Sequence, residues 1–297
     1  MKKLFLALTL LSLFATAQTF AADKKIVLIA GKASHGPGEH EHNAGLLLFQ
    51  KCLASVPGIN VVEISGGWPT NDAVLADAAA VVFYCDGGGS HAALQDDHLK
   101  TLGALMEKGV GFACLHYAVE PTQTRGEKEF LAWLGGCFEI NWSVNPTWEA
   151  EFKSFPEHPI TRGVQPFSLR DEWYFNMRFA DGMKGVTPIL TAVPPSSTMS
   201  RPDGPHEGNP AVRAAVAVGK PQTVAWAFEN AYGGRGFGFT GGHFHKNWAN
   251  ANMRKLVLNG ILWTAKIEVP KDGVASEVTA ADLTVNLDAK TPRSRKY

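Results

Sequence analysis

Ile26-Val27-Leu28-Ile29-Ala30-Gly31 is an uninterrupted apolar run closed by a glycine. Such a run is typical of a strand buried on both faces, because a strand with one solvated face alternates apolar and polar residues. Similar runs follow at 60–65, 79–85 and 110–115, and a helical apolar pattern lies at 94–108. Strands that alternate with helices predict an α/β fold, with a mostly parallel sheet flanked by helices.

The region from about 136 to 210 interrupts this alternation, because it is rich in Pro, Trp and polar residues. The regular pattern then returns in two strand-like runs and a last helix, at 222–228, 236–240 and 249–265. We therefore expect one α/β domain over residues 23–267 with an irregular, Trp- and Pro-rich middle insertion. The remaining segment, 268–297, has no clear period and is expected to form a C-terminal tail that is either laid on the surface or disordered.

The N-terminus has the pattern of a secretory signal peptide. Lys2-Lys3 supplies a positive start, residues 4–14 form a short apolar core, and Ala15-Thr16-Ala17 offers small residues for cleavage. Cleavage after Ala17 is the first expectation and after Ala21 the second, so residues 1–21 are assigned to the signal. The alternative is a retained anchor. The sequence predicts a secreted or periplasmic protein without a membrane span.

The net charge indicates which class of ligand to expect, and the cysteine spacing indicates the state of the thiols. Lys plus Arg and Asp plus Glu both number 28, so the formal net charge is zero. Nothing in this balance favours nucleic acid or an anionic membrane as a partner, and a small neutral molecule is the better expectation. The four cysteines show no CxxC spacing and are expected to be mostly buried free thiols.

Histidines cluster just past the predicted strands. The ends of parallel strands converge on one edge of a sheet, where ligands bind. Two or three histidines with a carboxylate suit a divalent zinc, manganese or iron site, but a histidine acid–base site without metal is an equal alternative. The candidate metal ligands are His35, His40, His42, His243 and His245, and His116 and His243 are candidate catalytic residues.

A second group of candidates lies in the middle insertion. Carboxylates bond sugar hydroxyls, and aromatic faces stack on sugar rings, so an acidic pair beside aromatics suits a small-molecule carbohydrate. Ordinary packing of the insertion against the domain is the alternative for each aromatic residue. The candidates are Asp171 and Glu172 for catalysis, and Trp142, Trp173, Tyr174 and Arg201 for substrate binding.

Taken in order, these motifs make the chain resemble the trehalose-utilisation, or ThuA-like, family. The motifs are Leu115-His116, Asp171-Glu172-Trp173, Pro221-Gln222-Thr223-Val224-Ala225-Trp226, Gly234-Arg235-Gly236, Gly242-His243 and Trp263. The resemblance covers roughly residues 25–265. It implies a flavodoxin-like sheet of the class I glutamine-amidotransferase type and a role in carbohydrate catabolism, especially of glucosides oxidised at ring carbon three.

Three functions follow as hypotheses. The leading one is an enzyme that acts on a 3-keto glucoside or disaccharide as a lyase, isomerase or hydratase, using His and Glu acid–base chemistry with possible help from a metal. A Cys- or metal-dependent amidase or hydrolase is the second. It would use Cys114, but His243-Phe244-His245 stands where glutaminases carry His-x-Glu, so no carboxylate orients a base. A non-catalytic sugar-binding protein is the third.

Overall fold

A computed structural model describes residues 23–291, so the predicted signal peptide at residues 1–21 lies outside the described residues. The strands are β1 Lys24–Ala30, β2 Ile59–Ile64, β3 Ala78–Tyr84, β4 Gly111–Leu115, β5 Gly136–Cys137, β6 Trp148–Phe152, β7 Phe167–Asp171, β8 Arg178–Phe179, β9 Val186–Ala192, β10 Gln222–Glu229 and β11 Arg235–Phe239. The α-helices are α1 His42–Leu53, α2 His98–Met106, α3 Glu127–Trp133, α4 Pro210–Ala217 and α5 Ala251–Thr264. Within 23–291 no helix is long and apolar enough to cross a bilayer.

The central sheet has seven strands in the order β2-β1-β3-β4-β11-β10-β9. Its first five strands are parallel, and β10 is antiparallel to both of its neighbours. The prediction of a mostly parallel, flavodoxin-like α/β sheet is therefore confirmed. The chain leaves β1 toward β2 and then returns to β3 on the other side of β1. This reversal opens a crevice at the carboxyl ends of β1 and β3, where ligands bind in sheets of this type.

Alternate residues of β1 face opposite layers of the core. Ile26 and Leu28 belong to the apolar cluster that contains buried residues of α1 and α5, whereas Val27 and Ile29 belong to the cluster that contains those of α2 and α3. Full burial of such a side chain stabilises the fold by about 1.5–3 kcal/mol. A polar residue on either face of β1 would lose that contribution, which explains the unbroken apolar run.

The middle insertion forms two small antiparallel sheets, one from β6 and β7 and one from β5 and β8. Burial alternates along β6, so Trp148, Ala150 and Phe152 pack into the core while the residues between them are exposed. Strand β7 ends at the buried Asp171, and the next residue, Glu172, reaches the carboxyl edge of the large sheet. The insertion thus supplies a carboxylate to the carboxyl edge of the large sheet.

The C-terminal tail is laid across α5 and then along α1. The buried Arg254 of α5 holds the backbone and side chain of Ser276, and Lys51 near the end of α1 pairs with Asp282. At the start of α1, Lys290 forms an ion pair with Glu41 at 3.2 Å. The tail therefore runs back toward the loop that follows β1.

Candidate active site

Four candidate side chains meet at the carboxyl edge of the parallel strands. His40 lies in the loop after β1, His116 follows β4 directly, and His243 lies just past β11. Glu172 comes from the insertion, one residue after β7. The ligand atoms of these four residues all lie within 4.8 Å of one another. The fold thus gathers groups from four separate parts of the chain.

The distances within this cluster match the edges of a metal coordination sphere. His40 Nε2 lies 3.0 Å from both His116 Nε2 and His243 Nδ1, and the last two atoms are 3.3 Å apart. Glu172 Oε2 lies 3.1 Å from His243 Nδ1 and 3.5 Å from His116 Nε2. Tetrahedral ligands with bonds of about 2.1 Å are separated by about 3.4 Å. The four donors fit one divalent ion.

Hydrogen bonds behind the rings fix which nitrogens carry protons. His40 Nδ1 lies 2.8 Å from Asp86 Oδ1, and His116 Nδ1 lies 2.8 Å from the carbonyl oxygen of Thr240. Both partners accept hydrogen bonds, so each Nδ1 donates and each Nε2 of the neutral ring keeps a lone pair. Two lone pairs at 3.0 Å repel each other unless a cation lies between them. A bound metal removes this conflict.

Burial keeps two of the rings neutral. Burial and the neighbouring histidines lower the pKa of His40 and of His116 well below the usual range. Burial also acts to lower the pKa of His243, but the hydrogen bond and charge of Glu172, together with the charges of Asp171 and Glu39, outweigh it and the pKa is raised. Neutral imidazole is the form that binds a metal, so His40 and His116 are in the required state without any change of pH.

Three histidines of the site have strained backbone conformations. His35, His40 and His116 have φ values of 59°, 46° and 54°, in the left-handed region that side chains with a Cβ rarely adopt. Such conformations cost of order 1–3 kcal/mol each and are kept where the surroundings hold them for function. In these conformations His40 and His116 bring their Nε2 atoms within 3.0 Å of each other.

A pocket of about 420 Å³ opens beside the cluster. Its volume lies within the range of small-molecule sites. Its lining is rich in groups that donate or accept hydrogen bonds, which suits a polar, hydroxyl-rich ligand. The lining residues are His35, Glu39, Tyr117, Asn145, Glu172, Tyr174, His206, Glu207 and His243.

The acidic pair divides into two roles. Glu172 lines the pocket, whereas Asp171 is fully buried and accepts hydrogen bonds from the backbone N–H groups of Glu172, Gly242 and His243. Asn247 donates a fourth bond to Asp171. Asp171 therefore holds the two chain segments that carry Glu172 and His243 and does not itself face the ligand.

Of the aromatic residues expected to bind sugar, one lies in the pocket and two lie outside it. The Tyr174 hydroxyl lies 3.3 Å from both His116 Nε2 and Glu172 Oε2, inside the pocket. Trp173 is fully buried: its ring packs on Gly241, where a Cβ would come within 2.4 Å, and its N–H is bonded to the Leu169 carbonyl. The Trp142 ring lies under the Arg178 guanidinium. Neither tryptophan lines the pocket, because the ring faces are already in contact with other parts of the protein.

Arg201 does not line this pocket but hydrogen-bonds two residues that do. Its Nη2 donates to Asn145 Oδ1 at 2.8 Å and to the carbonyl of His206 at 3.1 Å. Asn145 and His206 both line the pocket. Arg201 therefore fixes two wall residues and lines a smaller neighbouring cavity.

The remaining candidate ligands lie around the cluster. The His35 ring stacks on His40 with centroids 3.6 Å apart and forms a second possible ligand group with His40 and Asp86. His42 is buried behind His40, and burial lowers its pKa to about 4. His245 is also buried. Among the described residues, no group with metal-binding geometry includes His42 or His245.

Several residues of the site were not selected from the sequence, among them Asp86, Glu120 and His206. Asp86 follows β3 by two positions, so the strand-end rule that selected the histidines would have found it. His206 lies in the loop 201–208, whose composition favours a solvated turn. Its Nε2 lies 3.1 Å from both carboxylate oxygens of Glu120, which is only 2% exposed. No local pattern in the sequence indicates this contact, because it joins residues 86 positions apart.

Cys114 is packed inside the core. It has no exposed surface, and burial raises the pKa of its thiol well above the usual range. All four cysteines are buried and free. A thiol in this state is a poor nucleophile, since the thiolate is the reactive form.

Comparisons with known proteins agree with this architecture. A family model described as trehalose utilisation, ThuA, matches residues 26–264. A solved ThuA-like protein from Bacteroides uniformis is 16% identical with a TM-score of 0.56, over 84% of this chain and 94% of that one. Another from Parabacteroides merdae is 14% identical with a TM-score of 0.54, over 87% and 94%. No curated protein matches the sequence significantly.

Proposed function

The chain belongs to the ThuA, or trehalose-utilisation, family, and from this premise we propose that it is an exported enzyme that acts on a 3-keto glucoside or disaccharide by metal-assisted acid–base chemistry. The observation that carries the proposal is the convergence of His40, His116, His243 and Glu172 beside the pocket, which His243 and Glu172 also line. Zinc, manganese and iron all accept such a set of nitrogen and oxygen donors.

The pocket supports a ligand that is both polar and electrophilic. Tyr174 and Asn145 offer hydrogen bonds to sugar hydroxyls. The cluster would hold a divalent ion, and such an ion would supply a Lewis acid for a ketone oxygen. A ketone at ring carbon three acidifies the neighbouring C–H bonds, so a base in the pocket can remove a proton. Elimination and isomerisation begin with that step, and hydration of an enone passes through the same enolate in the reverse direction.

The thiol-dependent form of the hydrolase and the non-catalytic sugar-binding protein receive less support. A thiol hydrolase needs an accessible, ionisable cysteine, and Cys114 is buried with a raised pKa. A sugar-binding protein without catalysis needs no gathering of metal-binding donors and no backbone strain at His40 and His116. Export rests on the N-terminal pattern alone. N-terminal sequencing of the mature protein, with cleavage expected after Ala17 or Ala21, tests it.

The experiment that tests the function combines metal analysis with substrate conversion. The purified protein should contain about one equivalent of a transition metal, and it should convert a 3-keto glucoside but not the parent glucoside. His116→Ala should lose the metal and the turnover together. His158→Gln, near the opposite edge of the sheet, is the control. Conversion that survives complete removal of metal would exclude the metal from the mechanism, and sugar binding without conversion would favour the binding protein.

A further inference from the structure

His206 and Glu120 form a second ionisable unit in the pocket, separate from the four clustered donors. Nε2 of His206 lies 3.1 Å from Oε1 and 3.1 Å from Oε2 of Glu120. The imidazole ring stacks on the buried Phe138 with centroids 5.1 Å apart. Arg201 and Asn145 both contact the backbone of His206. The ring is thus fixed by a carboxylate at one edge and an aromatic ring on one face.

This contact decides the tautomer of His206. A carboxylate accepts hydrogen bonds, so Nε2 carries the proton and donates a hydrogen bond to Glu120. Nδ1 of the neutral ring then carries the lone pair. A buried carboxylate that orients a histidine in this way also stabilises the ring once it has taken up a second proton. Glu120 is almost completely buried, and so its interaction with His206 is weakly screened by water. The unit has the properties of a general base.

We propose that His206 is the base that removes the proton next to the substrate ketone, with Glu120 as its positioning residue. This inference rests on the proposed function and names the residue that performs its first step. The C–H bond breaks and its proton joins Nδ1 of His206. The electron pair of that bond forms a C=C bond, and the π pair of the C=O bond moves to oxygen. A neutral sugar and a neutral ring become an enolate and an imidazolium.

Other groups that line the pocket are less suited to this step. Burial raises the pKa of Tyr174 well above the usual range and that of Tyr117 to about 12, so both phenols stay protonated. Glu172 is held between His116 and His243 in the clustered donors. Glu207 accepts the backbone N–H of His206. Among the described residues that line the pocket, His206 alone has an almost completely buried carboxylate within hydrogen-bond distance of its ring.

The test is hydrogen exchange at the substrate carbon. Methyl 3-keto-α-glucoside is incubated with the metal-loaded enzyme in D2O, and loss of the C–H signal is followed by NMR against an enzyme-free sample. His206→Gln should slow exchange about 100-fold or more, since general-base catalysis contributes 10²–10⁴-fold. Metal content and folding should be unchanged. His158→Gln, outside the pocket, should behave like the wild type.

Glu120→Gln tests the role of Glu120 through the pH dependence of exchange, which a purely structural role would leave unchanged. The charged groups that act on His206 are Glu120 and Glu207, which raise its pKa, and Arg201, which lowers it. The hydrogen bond to Glu120 is the largest effect, and the pKa is raised overall. A base works only when neutral, so exchange falls as the pH drops through that pKa. Removal of the Glu120 charge should move this fall to lower pH.

The outcomes separate the two proposals. If the wild type exchanges the proton and His206→Gln exchanges it equally fast, the base is another residue, and the proposed function stands. If the wild type neither exchanges nor converts any 3-keto glucoside, the proposed function falls and the base falls with it. If His206→Gln does not fold, an unshifted pH profile in Glu120→Gln overturns the assignment, and a shifted one supports it.

Discussion

Asp86 Oδ1 lies 2.8 Å from Nδ1 of His40, on the edge of the ring that faces away from the other clustered donors. Asp86 follows β3 and His40 follows β1, so the contact joins the two strands on either side of the point where the strand order reverses. A carboxylate behind a metal-binding histidine fixes the ring and makes the opposite nitrogen a better ligand.

Asp86→Asn is therefore expected to weaken metal binding by about 10- to 100-fold, because the amide no longer enforces the tautomer that points a lone pair at the metal. The dissociation constant for Zn²⁺ is measured by competition with a chromophoric chelator. Asp181→Asn, which changes an exposed aspartate in the 3₁₀ turn after β8, is the matched control. Equal affinities in the two variants would remove Asp86 from the site.

Glu172→Gln should fold normally and lose most turnover, because it keeps the size of the side chain but removes the negative charge beside His116 and His243. Thermal unfolding and turnover of a 3-keto glucoside are measured on the same preparation. A variant with normal turnover, or one that unfolds, would place Glu172 outside the chemistry.

The neighbouring substitution Asp171→Asn should give the opposite result. Asp171 accepts four N–H donors in the interior, and an amide nitrogen in place of one oxygen leaves donors without an acceptor. Each such buried group costs about 1–3 kcal/mol. The free energy of unfolding should therefore fall far more in Asp171→Asn than in Glu172→Gln, as denaturant titration would measure.

Cys114→Ala should retain most of the activity, since the thiol is buried and its raised pKa keeps it protonated. The smaller side chain leaves a small void in the core, so a modest loss of stability, about 1 kcal/mol, is expected. Turnover is compared with that of Cys52→Ala, which changes another buried cysteine. Complete loss of turnover, or a covalent substrate adduct on Cys114, would support the hypothesis of a Cys-dependent hydrolase.

Lys290→Met tests the contact between the tail and the loop after β1. Lys290 donates to the carbonyl oxygen of His40 at 3.1 Å and pairs with Glu41, whose side chain is 1% exposed. Loss of the ammonium group should loosen residues 36–42, raise their amide hydrogen exchange and weaken Zn²⁺ binding. Lys271→Met, at an exposed position in the same tail, is the control. Unchanged exchange in residues 36–42 would show that the loop holds its shape without the tail.

The apolar pattern made the fold predictable. The continuous run 26–30 predicted a buried strand, and the structure places β1 inside the sheet, because only apolar residues fit between two helical layers. The strand ends also pointed to His40, His116 and His243, since parallel strands place their following loops along one edge.

Other parts of the site could not be derived from local sequence. The aromatics of the insertion look alike in the sequence, yet Trp173 fills the core while Tyr174 reaches the pocket, because adjacent residues of an extended chain point to opposite sides. The contacts of Glu120 with His206 and of Asp86 with His40 depend on how distant segments pack. A single sequence carries no record of such pairs.

The path of the C-terminal tail determines when the loop after β1 gains all of its contacts. Asp288 and Glu41 are bonded across 247 positions of the chain. The ribosome makes the histidine loop well before residues 288–290, so the loop exists for a time without its contacts to that segment. The sheet and its strand-end loops are therefore available before the segment that secures the first of those loops. If the cluster binds a metal as proposed, the first loop would hold that metal firmly only once residues 288–290 are in place.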